Sequence, residues 1–301
     1  MAGDVTREQV TWLYEVVTGG KDKPFVSNEP GSEGDVLASY LSGHGITLIP
    51  WEIETSSVDS PSVTSVPFIP LSRSILHKYQ PQADIPFTDY ISPADRSDTE
   101  DSRWWSARIC SREAVRLFYK WALAWRGLPR RHTGLMGLCG VHTITDDIHA
   151  SGGYWNICFS VEPEKQNTSQ LPHITVAASQ PVSARDNSIL YGELAIILSV
   201  MNGRAKQPKT ENEEEMKNIF DMNMKELEET SRKSPAFPNE QKFPLLLSSF
   251  VGPQHARVLC ASMNQRQLIL RMSKLYSFER KAEAPLELFT SWLFSRPAVE
   301  T

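Results

Sequence analysis

The sequence predicts an α/β (or α+β) protein: a mixed β-sheet flanked by helices, with an irregular N-terminal arm. Three observations carry that expectation. From residue 111 onward the hydrophobic periodicity runs helix, three strands, helix, strands, helix, the pattern of a sheet covered by helices. The links between the strand-like runs carry turn chemistry, Ser151-Gly-Gly153 for one pair and the polar segment 162–170 for the next. The chain has 301 residues, 40% hydrophobic and 22% charged, enough apolar material for a real core in one large domain or two modest ones.

Residues 1–100 read as the looser part. Val10, Leu13, Tyr14 and Val17 recur at helical spacing over residues 6–17, and Gly19-Gly20 supplies the stop. A turn-rich stretch (21–34) leads to a short apolar run, 46–51. Prolines at 61, 67, 70, 81, 86 and 93 then forbid any long helix, and Asp84, Asp89, Asp95, Asp98, Glu100 and Asp101 make the segment acidic. It is expected to be an extended arm wrapped over the surface.

Residues 101–301 read as the core. Ser111 is the expected N-cap of a helix whose stripe is Leu117, Phe118, Trp121, Ala122 and Trp125, ended by Gly127 and Pro129. Strands are predicted over 135–145, 154–161 and 173–179, followed by a helix over 188–201 that is apolar almost all round and therefore buried. An acidic helix over 211–233, part of an insertion at 208–238, has a thin stripe of Met216, Phe220, Met224 and Leu227. Acid-to-base pairs such as Glu213–Lys217 and Asp221–Lys225 support it, and Pro235 and Pro238 close it. A meander over 243–251, 256–263 and 267–272 precedes a last helix that starts at Pro285, buries Leu288, Phe289, Trp292 and Leu293, and stops before Pro297.

Composition narrows the function classes. The formal charge of −5 is too small for a polyanion-binding tail protein and the apolar fraction too high for a disordered chain. No apolar run approaches the ~20 residues of a membrane helix. The start, MAGDVTREQV, lacks the basic-then-apolar layout of a secretory signal. Four cysteines over this length do not make a disulfide scaffold. An intracellular protein, cytoplasmic or nuclear, is the expectation.

The first candidate site is cationic. Arg103, Arg108, Arg112, Arg116, Lys120, Arg126, Arg130 and Arg131 crowd one stretch against a single acid, Glu113. Arg112, Arg116 and Lys120 share a helix face at i, i+4, i+8, and with Arg130 and Arg131 they are the candidate nucleic-acid contacts, phosphates being bound by such a stripe. The competing use is internal, neutralising the acidic arm or the acidic helix.

The catalytic candidates are Asp146, Asp147, Glu162, Glu193 and His255. Carboxylates meeting at strand ends are the hard oxygen ligands that a Mg²⁺-dependent hydrolase needs. Glu193, early in an apolar helix, must be paired if buried, or else serve the helix N-terminus. His255 and Arg257 flank a turn after Gly252-Pro253, where they line a pocket or finish a hairpin. Cys139, His142, His149 and Cys158 lack zinc-site spacing and read as buried thiols beside unrelated histidines, so no metal site is assigned. The glycines of 134–140 lack the Gly-Lys-Ser/Thr of a phosphate loop, and no cofactor is expected.

Residues 190–201, with 250–257 and 275–278, resemble uncharacterised proteins of filamentous fungi. The order helix, three strands, helix, strand over residues 103–263 also resembles the restriction-endonuclease-like, PD-(D/E)XK, core. That resemblance implies a first acid at Asp146 or Asp147 and a Glu-x-Lys on the following strand. Ser160-Val-Glu162 or Ala177-Ala-Ser179 stands there instead, and Lys165 falls beyond Pro163. It therefore implies the fold without the nuclease chemistry. The functional expectation is a non-catalytic binding or accessory protein that contacts nucleic acid or a protein partner through the basic helix face. The alternative is an enzyme, either a divergent nuclease using Mg²⁺ or a cofactor-independent enzyme of fungal specialised metabolism.

Overall fold

In chain order the elements of the computed structural model are α1 (Ala2–Thr18), α2 (Ala38–Gly43), β1 (Ile46–Pro50), β2 (Phe68–Ile69), α3 (Arg73–Lys78) and α4 (Ala107–Tyr119), which continues as a π-helical stretch, Lys120–Ala124. Then come α5 (Arg130–Thr133), β3 (Leu135–Leu138), β4 (Asn156–Glu162), β5 (Ile174–Ser183), α6 (Tyr191–Ala205) and α7 (Met224–Lys233). β6 (Leu245–Gly252), β7 (His255–Asn264), β8 (Gln267–Met272), β9 (Tyr276–Ser277), α8 (Leu286–Leu293) and β10 (Arg296–Pro297) complete the fold. The structure describes residues 2–18, 34–54, 66–81, 84–96, 106–124, 126–133, 135–138, 155–163, 171–210, 215, 218–219 and 221–298.

The main sheet runs β1-β8-β7-β6-β5-β4-β3, with β9 beside β7. It is mixed: β5 is parallel to β6 and β1 to β8, and the remaining pairs are antiparallel. A parallel neighbour requires a crossover, and α6 supplies the one from β5 to β6. β6 is buried along its whole length because its side chains alternate between two cores. Leu245 and Leu247 point to the α1/α6 side with Val176, Leu259 and Leu270. Leu246 and Phe250 point to the α4/α8 side with Phe118, Phe159, Phe289 and Trp292.

α6 is apolar all round because it is covered on both sides. The sheet lies beneath it, and α1 supplies Val10, Leu13 and Val17 to the same core above. Each such fully buried aliphatic side chain stabilises the fold by roughly 1.5–3 kcal/mol. β4 serves both cores through a bulge. The pairing passes from Ile157↔Ala178 to Phe159↔Ala177, leaving Cys158 as the extra residue. Ile157 therefore packs toward α6 and Phe159 toward α4.

Several boundaries depart from the sequence expectation. α4 starts a turn earlier than predicted, at the Ser106 cap, whose side chain accepts from the Ile109 N–H at 3.4 Å. Ser111 lies inside the helix, buried, and donates to the Arg108 carbonyl at 3.1 Å. α7 begins at Met224 because Asn223 caps it, its side chain accepting from the N–H groups of Lys225 and Glu226. The expected strand 135–145 is described as β3 alone; residues 139–154, with the Ser151-Gly-Gly153 turn, lie outside the described residues.

Described segments of the first hundred residues are built into the core. β1 closes one edge of the sheet, and Trp51, Ile53, Phe68 and Ile85 belong to the α4/α8 core. β2 pairs with β10, and the Leu71 and Tyr90 N–H groups donate to the Ser291 and Glu279 carbonyls, both at 2.8 Å. No helix among the described residues is long and apolar enough to cross a membrane.

Gly252 closes β6 against the start of α4. A Cβ there would stand 2.4 Å from Ala107 Cβ and 2.7 Å from Ala107 Cα, so the helix would have to move away from the sheet. Gly252→Ala is therefore expected to lower unfolding stability by about 1–3 kcal/mol or more in denaturant titrations; an unchanged midpoint would contradict that packing.

Candidate functional site

Two of the candidate acids, Glu162 and Glu193, are paired with buried arginines. Glu162, at the end of β4, accepts from Arg204 Nη1 at 3.0 Å. Arg204, on the last turn of α6, is only 4% exposed and also donates to the carbonyls of Leu171, Pro172 and His173 and to Gln207. Its plane lies 5.1 Å from the Phe237 ring. Burial pushes this guanidinium below its ordinary pKa, which the Glu162 carboxylate opposes. The group holds the entry of β5 against the end of α6.

Glu193 lies at the other end of α6. It is fully buried, as is Arg257 on β7, and the two are joined by bonds of 2.8 Å (Nε to Oε1) and 2.5 Å (Nη2 to Oε2). Oε2 also accepts from the Leu190 N–H at 2.9 Å, so the carboxylate serves the helix N-terminus as well. Arg257 Nη1 donates to the Arg185 carbonyl at 2.8 Å. The Arg185 side chain in turn bonds Asp35 at 2.8 and 2.5 Å, and Ser188 donates to the same acid at 2.9 Å.

Along α6 the Glu193 and Arg204 positions are about 16 Å apart at 1.5 Å per residue. Glu162 and Glu193 thus sit near opposite ends of one helix, each on its own arginine, and do not converge. Asp146 and Asp147 lie outside the described residues, as do Cys139, His142 and His149. His255 starts β7 with Nδ1 3.9 Å from Glu279 Oε1. Cys158 is half-buried at the bulge rather than enclosed. Cys110 and Cys260 are buried thiols that desolvation pushes up, Cys260 to about 12. Among the described residues no three His, Cys, Asp or Glu side chains are placed to hold a metal ion.

The cationic helix keeps its outer face. Cys110, Ser111, Ala114, Val115, Leu117 and Phe118 face the sheet, while Arg108, Arg112 and Arg116 are exposed and Lys120 is half-buried. These four follow at i, i+4, i+8, i+12, a stripe about 18 Å long. Arg116 meets Glu113 at 2.8 Å, an exposed pair of little energetic weight. Arg112 and Lys120 have no partner among the described residues. Arg126 is not part of the face: it is buried over the Trp121 ring at 3.7 Å, donates to the Leu76 carbonyl at 2.9 Å, and desolvation brings it down to about 10. Arg130 and Arg131 fall in α5, beyond the end of the stripe.

Of the acids considered as internal partners of this stripe, four described ones bond other groups, while Asp98, Glu100 and Asp101 lie outside the described residues. In the arm, Asp84 pairs with the Lys281 ammonium and Asp89 accepts from the Lys281 N–H at 2.9 Å. Asp95 accepts from Ser92 at 2.6 Å. On α7, Glu228 lies 3.3 Å from Lys206 and 4.0 Å from Arg232. Sequence reading found Glu193 and Glu162 but missed Arg204, Arg185 and Asp35. The only local signal for Arg204 was a charge closing an otherwise apolar helix.

Two outcomes follow for stability. Glu193→Gln leaves the Arg257 charge buried without its counter-ion and is expected to cost about 3–5 kcal/mol in denaturant midpoint, whereas Glu193→Leu with Arg257→Met should recover most of that loss. Burial, aided by the Arg204 and Lys242 cations, brings the His173 imidazole down to about 4 from 6.5. The unfolded chain then binds the proton more readily, so this contribution is present above pH 6.5 and is lost as pH falls toward 4, by about 3 kcal/mol. His173→Phe should flatten the melting temperature over that window; an unchanged slope would contradict the burial argument.

No family model, no curated protein and no solved structure matches this chain.

Proposed function

We propose that the protein is a non-catalytic binding module that holds an anionic polymer, a nucleic-acid backbone, on the outer face of α4. One observation carries the reading: the stripe Arg108, Arg112, Arg116, Lys120 lies on the outer face of α4 while Asp84, Asp89, Asp95 and Glu228 bond other groups. Duplex DNA presents one charge per about 1.7 Å of axis, so a stripe about 18 Å long faces a continuous row of phosphates. The fate of the acids supports the same reading. Carboxylates bonded to buried guanidiniums do not offer their oxygens to a metal or a proton without first exposing an unpaired buried charge.

The order α4-α5-β3-β4-β5-α6-α7-β6, with β5 and β6 parallel and α5 and α7 read as insertions, is compatible with a restriction-endonuclease-like core that has kept its surface and lost its hydrolytic set. A net charge of −5 opposes long-range attraction of a polyanion, so binding is local and strongest at low salt.

Affinity for single- and double-stranded oligonucleotides should fall with salt at a log–log slope of about −2 to −3, the value for three released counterions. Arg112→Glu with Arg116→Glu and Lys120→Glu should abolish binding without changing the melting temperature. Binding that survives this triple reversal, or no binding at low salt, would overturn the proposal, as would Mg²⁺-dependent cleavage by the wild type.

A further inference from the structure

On the opposite face of the sheet, an open groove of about 800 Å³ runs between α1, α7 and the end of α6, with Arg7, Trp12, Glu15, Lys206, Glu228 and Arg232 around it. Its α1 wall breaks the rule that the rest of that helix obeys. Thr6, Val10, Leu13 and Val17 are buried against α6, whereas Val5, Glu8, Trp12 and Glu15 form the outer face, and Trp12 is 43% exposed. The core does not need this indole. It is nevertheless held in place: His44 stacks on it at 5.8 Å and 28°, and Tyr40 lies 4.1 Å from the His44 ring.

Glu8 and Glu15 stand one turn before and one turn after Trp12 on the same face, and neither has a partner among the described residues. A cation over the indole would therefore gain the ring quadrupole and two carboxylates together. The opposite wall has the other sign. Lys206 and Arg232 share the single acid Glu228, at 3.3 and 4.0 Å. On the floor, Arg7 donates to the carbonyls of Ala205, Phe237 and Pro238. A polyanion would meet Glu8 and Glu15, and an apolar ligand would leave both walls unmatched. The volume is in the range that holds a ligand of several residues.

We infer that this groove binds a peptide of a protein partner, with an arginine or lysine laid over Trp12 between Glu8 and Glu15 and an acidic residue facing Lys206 and Arg232. This assignment is independent of the α4 face, which lies across the sheet.

The test uses the full chain labelled at the indole nitrogens, with the Trp12 signal assigned by its loss in Trp12→Leu. The capped hexapeptide Gly-Arg-Gly-Gly-Asp-Gly is titrated in low salt. A saturable shift of the Trp12 signal is expected, with affinity falling at least about five-fold when the peptide arginine is replaced by glutamine, and again for Glu8→Gln with Glu15→Gln in the protein. Both carboxylates are exposed, so an unchanged melting temperature separates loss of binding from loss of folding. No shift up to about 10 mM peptide, or equal responses to the arginine and glutamine peptides, would overturn the inference. A Trp12 shift produced by anionic vesicles or an oligonucleotide but not by the peptide would overturn it too, assigning the face to those ligands.

Discussion

The Glu193–Arg257 ion pair is the constraint on which the architecture turns. Both side chains have no access to solvent, so neither charge is tolerable without the other. The pair ties the first turns of α6 to β7, two strands away from the β5 it follows. At the far end of α6, Arg204 binds the carbonyls that precede β5 and the acid that ends β4. Between these two fixtures α6 is almost wholly apolar and can slide only by breaking one of them. The crossover that makes β5 and β6 parallel is thus set by charge at its ends and by dispersion and apolar burial along its length.

The same arrangement divides the charged residues by use. Among the described residues, these acids hold elements together: Glu162 with Arg204, Glu193 with Arg257, Asp35 with Arg185, Asp84 and Asp89 with Lys281. Other described charges lie on helix faces turned away from the sheet. α4 offers cations on one side of the molecule, and α1 offers an indole between carboxylates on the other.

Much of the fold was legible in the sequence because its main signals are local. The apolar run around α6, the apolar runs and turns of β5 to β8 and the proline start of α8 all depend on neighbours in the chain. What was not legible depends on distant residues. β1 is a parallel edge strand whose partner, β8, lies across most of the chain, and nothing within residues 46–50 announces that pairing. The bulge at Cys158 shows only in the register with β5. Ser111 was the plausible cap and Ser106 the real one, because Gly252 fixes where Ala107 meets the sheet. For the site, Glu193 drew notice as an acid in an apolar helix, but its partner stands 64 residues on. The stripe on α4 was readable at its spacing; that Asp84 and Asp89 turn to Lys281 was not.

Crystals soaked in Mn²⁺ test the division between structural acids and open cations most directly, since the ion is located by its anomalous scattering. Glu162 should remain bonded to Arg204 and Glu193 to Arg257, with no manganese on either carboxylate. Manganese bound to one of them, with its arginine displaced, would contradict that division.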